Sequence, residues 1–272
     1  MKLAIISDTH LGFGYGSERE QESFENAKQA FELAISNSAD AILFAGDFFD
    51  SDIPSQETWH RTFELLKCLQ NSKSGISEIK IRDREGNGRI ARQKGLPIIA
   101  IHGTHEFRGK GYKNALEVLE SAGFIVYIHA SKAVIESAGE KLLVHGLGGV
   151  PEKKALDALK AWAPEAEKNA HNILIFHQSL KEYLPFAADD EMSVTLSLDD
   201  LPKGFDLIVD GHFHLKNETT LANGTKFAIP GSTIITQMKD LESKTPKGIY
   251  IYDTQTRALN FLQIPKQRKL FY

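Results

Sequence analysis

Phe205-Asp206-Leu207-Ile208-Val209-Asp210-Gly211-His212-Phe213-His214 is the stretch on which the reading of this chain turns. Its apolar first half predicts a buried strand. Gly211 permits a sharp turn at the strand end. Two imidazoles follow, one residue apart, close enough to serve two neighbouring metal ions. Alone, a His-x-His pair is more often structural than a ligand pair. It gains weight because four other stretches share its form, an apolar run ended by metal-type side chains. Leu3-Ala4-Ile5-Ile6-Ser7 runs into Asp8-Thr9-His10, and Ala41-Ile42-Leu43-Phe44-Ala45 into Gly46-Asp47. Pro97-Ile98-Ile99-Ala100-Ile101 precedes Gly103-Thr104-His105-Glu106, and Asn172-Ile173-Leu174-Ile175-Phe176 precedes His177. Ligands of open α/β sheets gather outside the carboxyl ends of strands, so these ends predict one shared pocket.

Around these runs the order is β-α-β-α-β-α and then mainly β. It predicts an α/β fold of two packed sheets with helices outside. The chain has 272 residues, 42% hydrophobic and 25% charged, ordinary values for a globular protein. Net charge is −4, so any nucleic-acid site must be a local basic patch. One such patch is the polar, glycine-punctuated segment 71–95, where seven basic residues face three acidic ones. It reads as an insertion, either a solvated loop or a phosphate-contacting flap carrying Arg82, Arg84 and Arg89. Phe107 to Tyr112, with Arg108 and Lys110, is a second basic, glycine-rich stretch.

The single cysteine, Cys68, sits in a helical pattern and reads as packing; it fits a reducing compartment. No signal or membrane-spanning stretch is visible, so a cytoplasmic protein without a membrane role is expected. Ser17 with Glu20 predicts a helix cap. Pro54 predicts a helix start capped by Ser51 or Asp52. Trp59, Phe63, Leu66 and Leu69 form a stripe that is either core or a dimer seam. Pro151 opens a helix expected to reach about Asn169. Asn223-Gly224 predicts a hairpin, and Ile249 to Tyr252 with Leu259 to Leu262 a closing antiparallel pair.

Asp8, His10, Asp47, His177, His212 and His214 are the candidate ligands. Carboxylates and imidazoles without thiolates suit Mn, Fe or Zn. Six side chains exceed what one open site uses, so two ions sharing a carboxylate are expected, with Asp47 as the bridge. Such a pair promotes attack of water on phosphorus. His105 is the expected general acid.

Asp8-x-His10, Gly46-Asp47, Gly103-Thr104-His105-Glu106, His177 and Gly211-His212-x-His214 resemble the ordered motifs of the calcineurin-like metallophosphoesterases. The resemblance implies a four-layer α-β-β-α sandwich with a dinuclear, often manganese, centre. Within that family the chain is most similar to the nuclease subunits of double-strand-break repair, the SbcD type. Ser7 to Gly12, Gly46 to Asp50 with Pro54-Ser55, His177-Gln178, Leu201 to Asp206, Pro230-Gly231-Ser232 and Lys247 to Tyr250 carry that similarity. It implies a DNA nuclease domain over residues 1–265, with residues 266–272 as a tail and the capping domain absent or truncated. It further implies DNA and an SMC-like ATPase as partners, a homodimer, and a nucleoid-associated location. By carry-over, Asp8, His10, Asp47 and His214 hold one metal, and Asp47, His177 and His212 the other. Thr104 stands where the family has an asparagine ligand, and its shorter hydroxyl is expected to hold the second metal loosely or through water. Asp50 stands where many relatives have a phosphate-contacting histidine; it reads as that contact or as a cap or loop residue. Two alternatives accompany the nuclease reading: a small-molecule phosphodiesterase, and a catalytically weak DNA-binding or scaffold subunit. The remaining histidines read as packing or surface residues, with His102 and His145 as outer partners of the site.

Overall fold

A computed structural model describes residues 1–109, 111–137, 139–184, 195–237 and 239–269. In chain order its elements begin with β1 (Lys2–Ile6), α1 (Glu22–Ser36), β2 (Ala41–Ala45), α2 (Gln56–Gln70), β3 (Glu78–Asp83), β4 (Gly88–Arg92), β5 (Ile98–Ile101) and α3 (Ala115–Ser121). They continue with β6 (Val126–Tyr127), β7 (Ser131–Ser137), β8 (Glu140–Leu147), α4 (Glu152–Trp162), β9 (His171–Phe176) and β10 (Leu207–Asp210). The last are β11 (Asn217–Thr220), β12 (Lys226–Ile229), α5 (Asp240–Lys244), β13 (Gly248–Asp253) and β14 (Leu259–Gln263).

The strands form two sheets, ordered β14-β13-β1-β2-β5-β6 and β11-β12-β10-β9-β8-β7-β3-β4. Alternation within each strand builds three apolar layers. Leu3 and Ile5 of β1 and Leu43 of β2 face the other sheet, where they meet Val144, Ile173, Ile175 and Val209. Ala4, Ile6, Ile42 and Phe44 face outward onto Phe31 of α1, Leu66 of α2 and Leu116 of α3. Leu174, Phe176 and Ile208 face outward on the second sheet and pack on Leu159 and Trp162 of α4. The central strands are therefore buried on both faces, which is why they read as unbroken apolar runs. The result is the expected α-β-β-α sandwich.

Several local expectations change. Segment 71–95 is not an open loop, because β3 and β4 form a hairpin that extends the second sheet, with β3 paired to β7. The overlooked signal is alternation, since Ile79 and Ile81 turn inward while Glu78, Lys80 and Arg82 turn out. Ser17 and Glu20 form a turn before α1, where Ser17 bonds Gly14 O and Glu20 accepts from Gly16 N. The cap of α2 is Ser55, whose hydroxyl accepts from Thr58 N, and Pro54 precedes it. Helix α4 stops at Trp162 because Ala163 turns to φ 45° and Pro164 cannot continue the turn. Trp59 and Phe63 stack at 5.7 Å and pack on the first sheet's core beside fully buried Leu66, which favours packing for that stripe. The half-buried Cys68 donates to Leu65 O, also as packing. The Asn223 turn and the β13–β14 pair form as expected. Among the described residues no helix is long and apolar enough to cross a membrane.

Candidate metal centre

Asp8, His10, Asp47 and His212 follow the C-terminal ends of β1, β2 and β10, and all four adopt positive φ, at 53°, 44°, 51° and 66°. They are four of only nine such non-glycine residues among those described, a concentration of backbone strain at one place. Cross-links between strand ends hold them there. Asp8 N donates to Gly46 O at 3.0 Å, His10 N to Asp47 O at 3.1 Å and Thr233 N to Asp8 O at 3.2 Å. The neighbouring loop is clamped by Glu106, which is fully buried and accepts from Phe49 N at 2.6 Å and Gly103 N at 2.7 Å. Burial, and then the Asp47 charge, pushes the Glu106 carboxyl up to about 8.

Glycine is required where the two sheets meet. A Cβ on Gly211 would lie 2.0 Å from Ala45 O, 2.5 Å from His177 Nδ1 and 2.6 Å from Ser7 Oγ. Gly211→Ala is therefore expected to destabilise the fold by at least the 1–3 kcal/mol typical of overpacking. A melting temperature equal to that of the parent protein would refute this.

The six candidate ligands converge. Asp8, His10 and His214 form one group and Asp47, His177 and His212 another, each with one ligand atom per residue within 4.8 Å of the rest. Asp47 also groups with His10 and His105, so its carboxylate lies between the two sets. Four imidazoles each have one nitrogen tied to an outer partner, which leaves the other facing inward. His177 Nδ1 bonds Ala45 O at 2.7 Å, and His10 Nδ1 bonds Asp50 Oδ1 at 3.1 Å. His214 Nδ1 bonds Thr236 Oγ1 at 2.7 Å. His212 Nε2 bonds Ser179 Oγ at 3.0 Å, and Ser179 donates its only proton to Glu152.

This arrangement fits cations. His10 Nε2 and His214 Nε2 lie 3.1 Å apart with both Nδ1 atoms engaged outward, a pair of facing nitrogens that a shared proton or a bound cation would hold together. Asp8 Oδ1 is buried without a hydrogen bond. His177 Nε2 lies 3.2 Å from Asp47 Oδ2 but is not aligned for one.

The protonation pattern agrees. Burial would lower His177, but the Asp47 and Asp8 carboxylates outweigh it and push the imidazole up to about 10. Burial would raise Asp47, but His177 and then His10 hold it well below the usual carboxylate range. Burial and the neighbouring His177 push His212 down to about 3. A histidine raised on folding contributes stability that is complete below its unfolded value, near 6.5, and lost as pH rises through about 10. Raised Glu106 loses its contribution as pH climbs from its ordinary value, 4.5, through about 8. Both act in the same direction. Without metal, the melting temperature should fall between pH 7 and pH 10, and saturating manganese, which takes the place of the His177 proton, should blunt the fall. A flat metal-free profile would contradict the pairing.

The other predicted residues divide. Thr104 Oγ1 lies 3.4 Å from Asp47 Oδ2, beside the second group. His105 N donates to Asp47 Oδ1 at 2.9 Å and its Nδ1 to Asp50 O at 2.8 Å; the side chain is 43% exposed. Asp50, a loop residue that caps no helix, braces His10 through its carboxylate and His105 through its carbonyl. Arg82 and Arg84 line a recess of about 270 Å³ with Lys132, His145 and Trp162, a lining that includes none of the six candidate ligands. Arg89 bonds Glu120 and Tyr127 O. Arg108 lies 3.8 Å from Asp52. Lys110 lies outside the described residues. His102 bonds Tyr127 OH and Gly149 O beneath the Gly103 loop, whereas His145 packs on Phe205 and Trp162, away from the cluster.

Sequence reasoning missed the outer partners Ser179, Glu152 and Thr236, and a buried ion pair behind His214. Lys247 Nζ bonds Glu242 Oε1 at 2.8 Å, Ser232 Oγ at 2.8 Å and His214 O at 2.9 Å. Glu242 in turn accepts from Thr236 N and Gln237 N. Pro230-Gly231-Ser232 and Lys247-Gly248 were visible as motifs, but their convergence on His214 was not.

The sequence profile of the calcineurin-like phosphoesterase family matches residues 1–216. The DNA double-strand break repair protein Mre11 of Saccharolobus solfataricus is 28% identical over 258 residues, covering 93% of this chain and 60% of that protein. The double-strand break repair protein MRE11 of Mus musculus is 26% identical over 302 residues, covering 97% of this chain and 41% of that protein. The chain thus spans between two fifths and three fifths of these relatives' length. A solved structure of a hypothetical protein from Thermus thermophilus shares the fold, with a TM-score of 0.52 at 12% identity over 97% of this chain and all of that one.

Proposed function

This chain belongs to the calcineurin-like phosphoesterase family, and we propose that it is a DNA nuclease that hydrolyses phosphodiesters with two divalent metal ions, most simply manganese. The observation that carries this reading is the set of four imidazoles, each anchored outward and turned inward around Asp47. Asp8, His10, Asp47 and His214 would hold one ion, and Asp47, His177 and His212 the other, with Thr104 at the edge of the second. Ions so held polarise a phosphoryl oxygen and lower the pKa of water.

The chain's own groups supply the rest. Asp47 keeps its charge because three histidines face it. Asp50 O fixes the His105 ring through Nδ1, which leaves Nε2 as the atom that would hand a proton to the leaving oxygen. Glu106 holds the His105 loop against the Asp47 loop, keeping that proton in register with the cluster.

DNA as substrate is supported by the Mre11 similarity over more than nine tenths of the chain. The proposal extends to an SMC-like ATPase partner, to be tested by co-purification. The deciding experiment incubates the protein with manganese and linear duplex or single-stranded DNA, beside bis-p-nitrophenyl phosphate. Cleavage of DNA that chelator abolishes is expected. Turnover of the model ester with both DNAs intact would instead identify a small-molecule phosphodiesterase.

A further inference from the structure

The loop that carries His105 continues into a recess of about 470 Å³ that the metal-centred chemistry does not use. Phe107, Arg108 and Tyr112 form one side, and His102, Tyr127 and His129 the other. Phe107 and Tyr112 are 39% and 67% exposed, so two aromatic faces stand open to the recess and to water. The Arg108 guanidinium lies over one face of the Tyr112 ring, 5.1 Å from its centre, and leaves the opposite face to a ligand. The floor is rigid, because His102 is bonded at both nitrogens, to Tyr127 OH at 2.6 Å and Gly149 O at 2.9 Å. His129 Nδ1 accepts from Gly148 N at 3.1 Å, so its neutral ring carries the proton on Nε2, a donor that this bond does not use.

The lining selects a ligand class. Among the described residues an anion is poorly served, since Arg89 is paired with Glu120 and Arg108 lies beside Asp52. A planar ring with a polar edge is well served, because it can stack on Phe107 or Tyr112 and meet the His129 donor. Position adds a constraint. Phe107 follows His105 by two residues, so their Cα atoms are at most about 7.6 Å apart. That is a span one nucleotide of an extended strand covers.

We propose that this recess is a nucleobase subsite, taking the unstacked base of a nucleotide next to the bond being cut. The inference deepens the nuclease reading and rests on it. The recess gives a nuclease of net charge −4 a hold on single-stranded or frayed ends that does not depend on phosphate contacts.

The test uses oligonucleotides containing 2-aminopurine, titrated with the full chain in chelator, where binding is read apart from cleavage. Saturable quenching of the fluorophore is expected with the parent protein. In the double variant Phe107→Ala/Tyr112→Ala the quench should vanish and binding weaken about tenfold, while Tyr112→Phe, which keeps the ring, should retain both. In a second arm, manganese-loaded protein cuts oligonucleotides with an abasic residue placed at successive positions. One position is expected to slow the parent about tenfold, and the double variant should treat native and abasic strands alike. Quenching that persists in the double variant, or an abasic residue without effect anywhere, overturns the subsite. Quenching lost in the variant, with no strand cut by either protein, would keep the subsite and remove the nuclease reading. Cleavage with no dependence on base or variant would do the reverse.

Discussion

Asp47→Asn is expected to lose more than about 100-fold in manganese affinity at both ion positions, beyond the 10–100-fold typical of removing an outer partner. The substitution is nearly isosteric, and asparagine tolerates the φ of 51° at this position. Its carbonyl can still accept from His105 N, so the neighbouring loop stays in place. What disappears is the charge that faces His177, His10 and His105 together. The variant should fold, show no manganese-dependent rise in melting temperature, and cut no DNA. Calorimetric titration decides the point, and one ion retained at parental affinity would show that Asp47 serves a single site.

His105→Ala should separate chemistry from metal binding. The ring is 43% exposed and contributes no ligand atom to the two groups that would hold the ions, so fold and manganese affinity should be unchanged. The rate of DNA cleavage should fall by about 10²–10⁴-fold, the usual contribution of a positioned acid. Bis-p-nitrophenyl phosphate should suffer less, because nitrophenolate leaves without a proton. Equal losses on both substrates would mean that His105 orients phosphate rather than protonating the leaving group. A weakened metal would instead point to support of His10, whose ring packs edge-on at 4.8 Å.

The strands and their ends are legible in the amino-acid order alone. Apolar runs buried on both faces are legible because burial is set residue by residue, and Asp8, His10, Asp47, His177, His212 and His214 follow those runs directly. The order of the runs was enough for the two-sheet sandwich, since parallel strands with helical crossovers leave few arrangements. The basic segment 71–95 was misread because its charge masked a period-two alternation carried by only two isoleucines. Asp50 is legible as a loop residue, but the two histidines it braces meet it only in the folded chain.

The aim of the imidazoles emerges only once the sheets are packed. Glu152 reaches His212 through Ser179, and Lys247 reaches His214 O from 33 residues away. Such partners leave no periodic trace, because a hydrogen bond between distant segments constrains two side chains and nothing between them. Ligand identity is therefore a local property of strand ends, while ligand orientation belongs to the packed sheets.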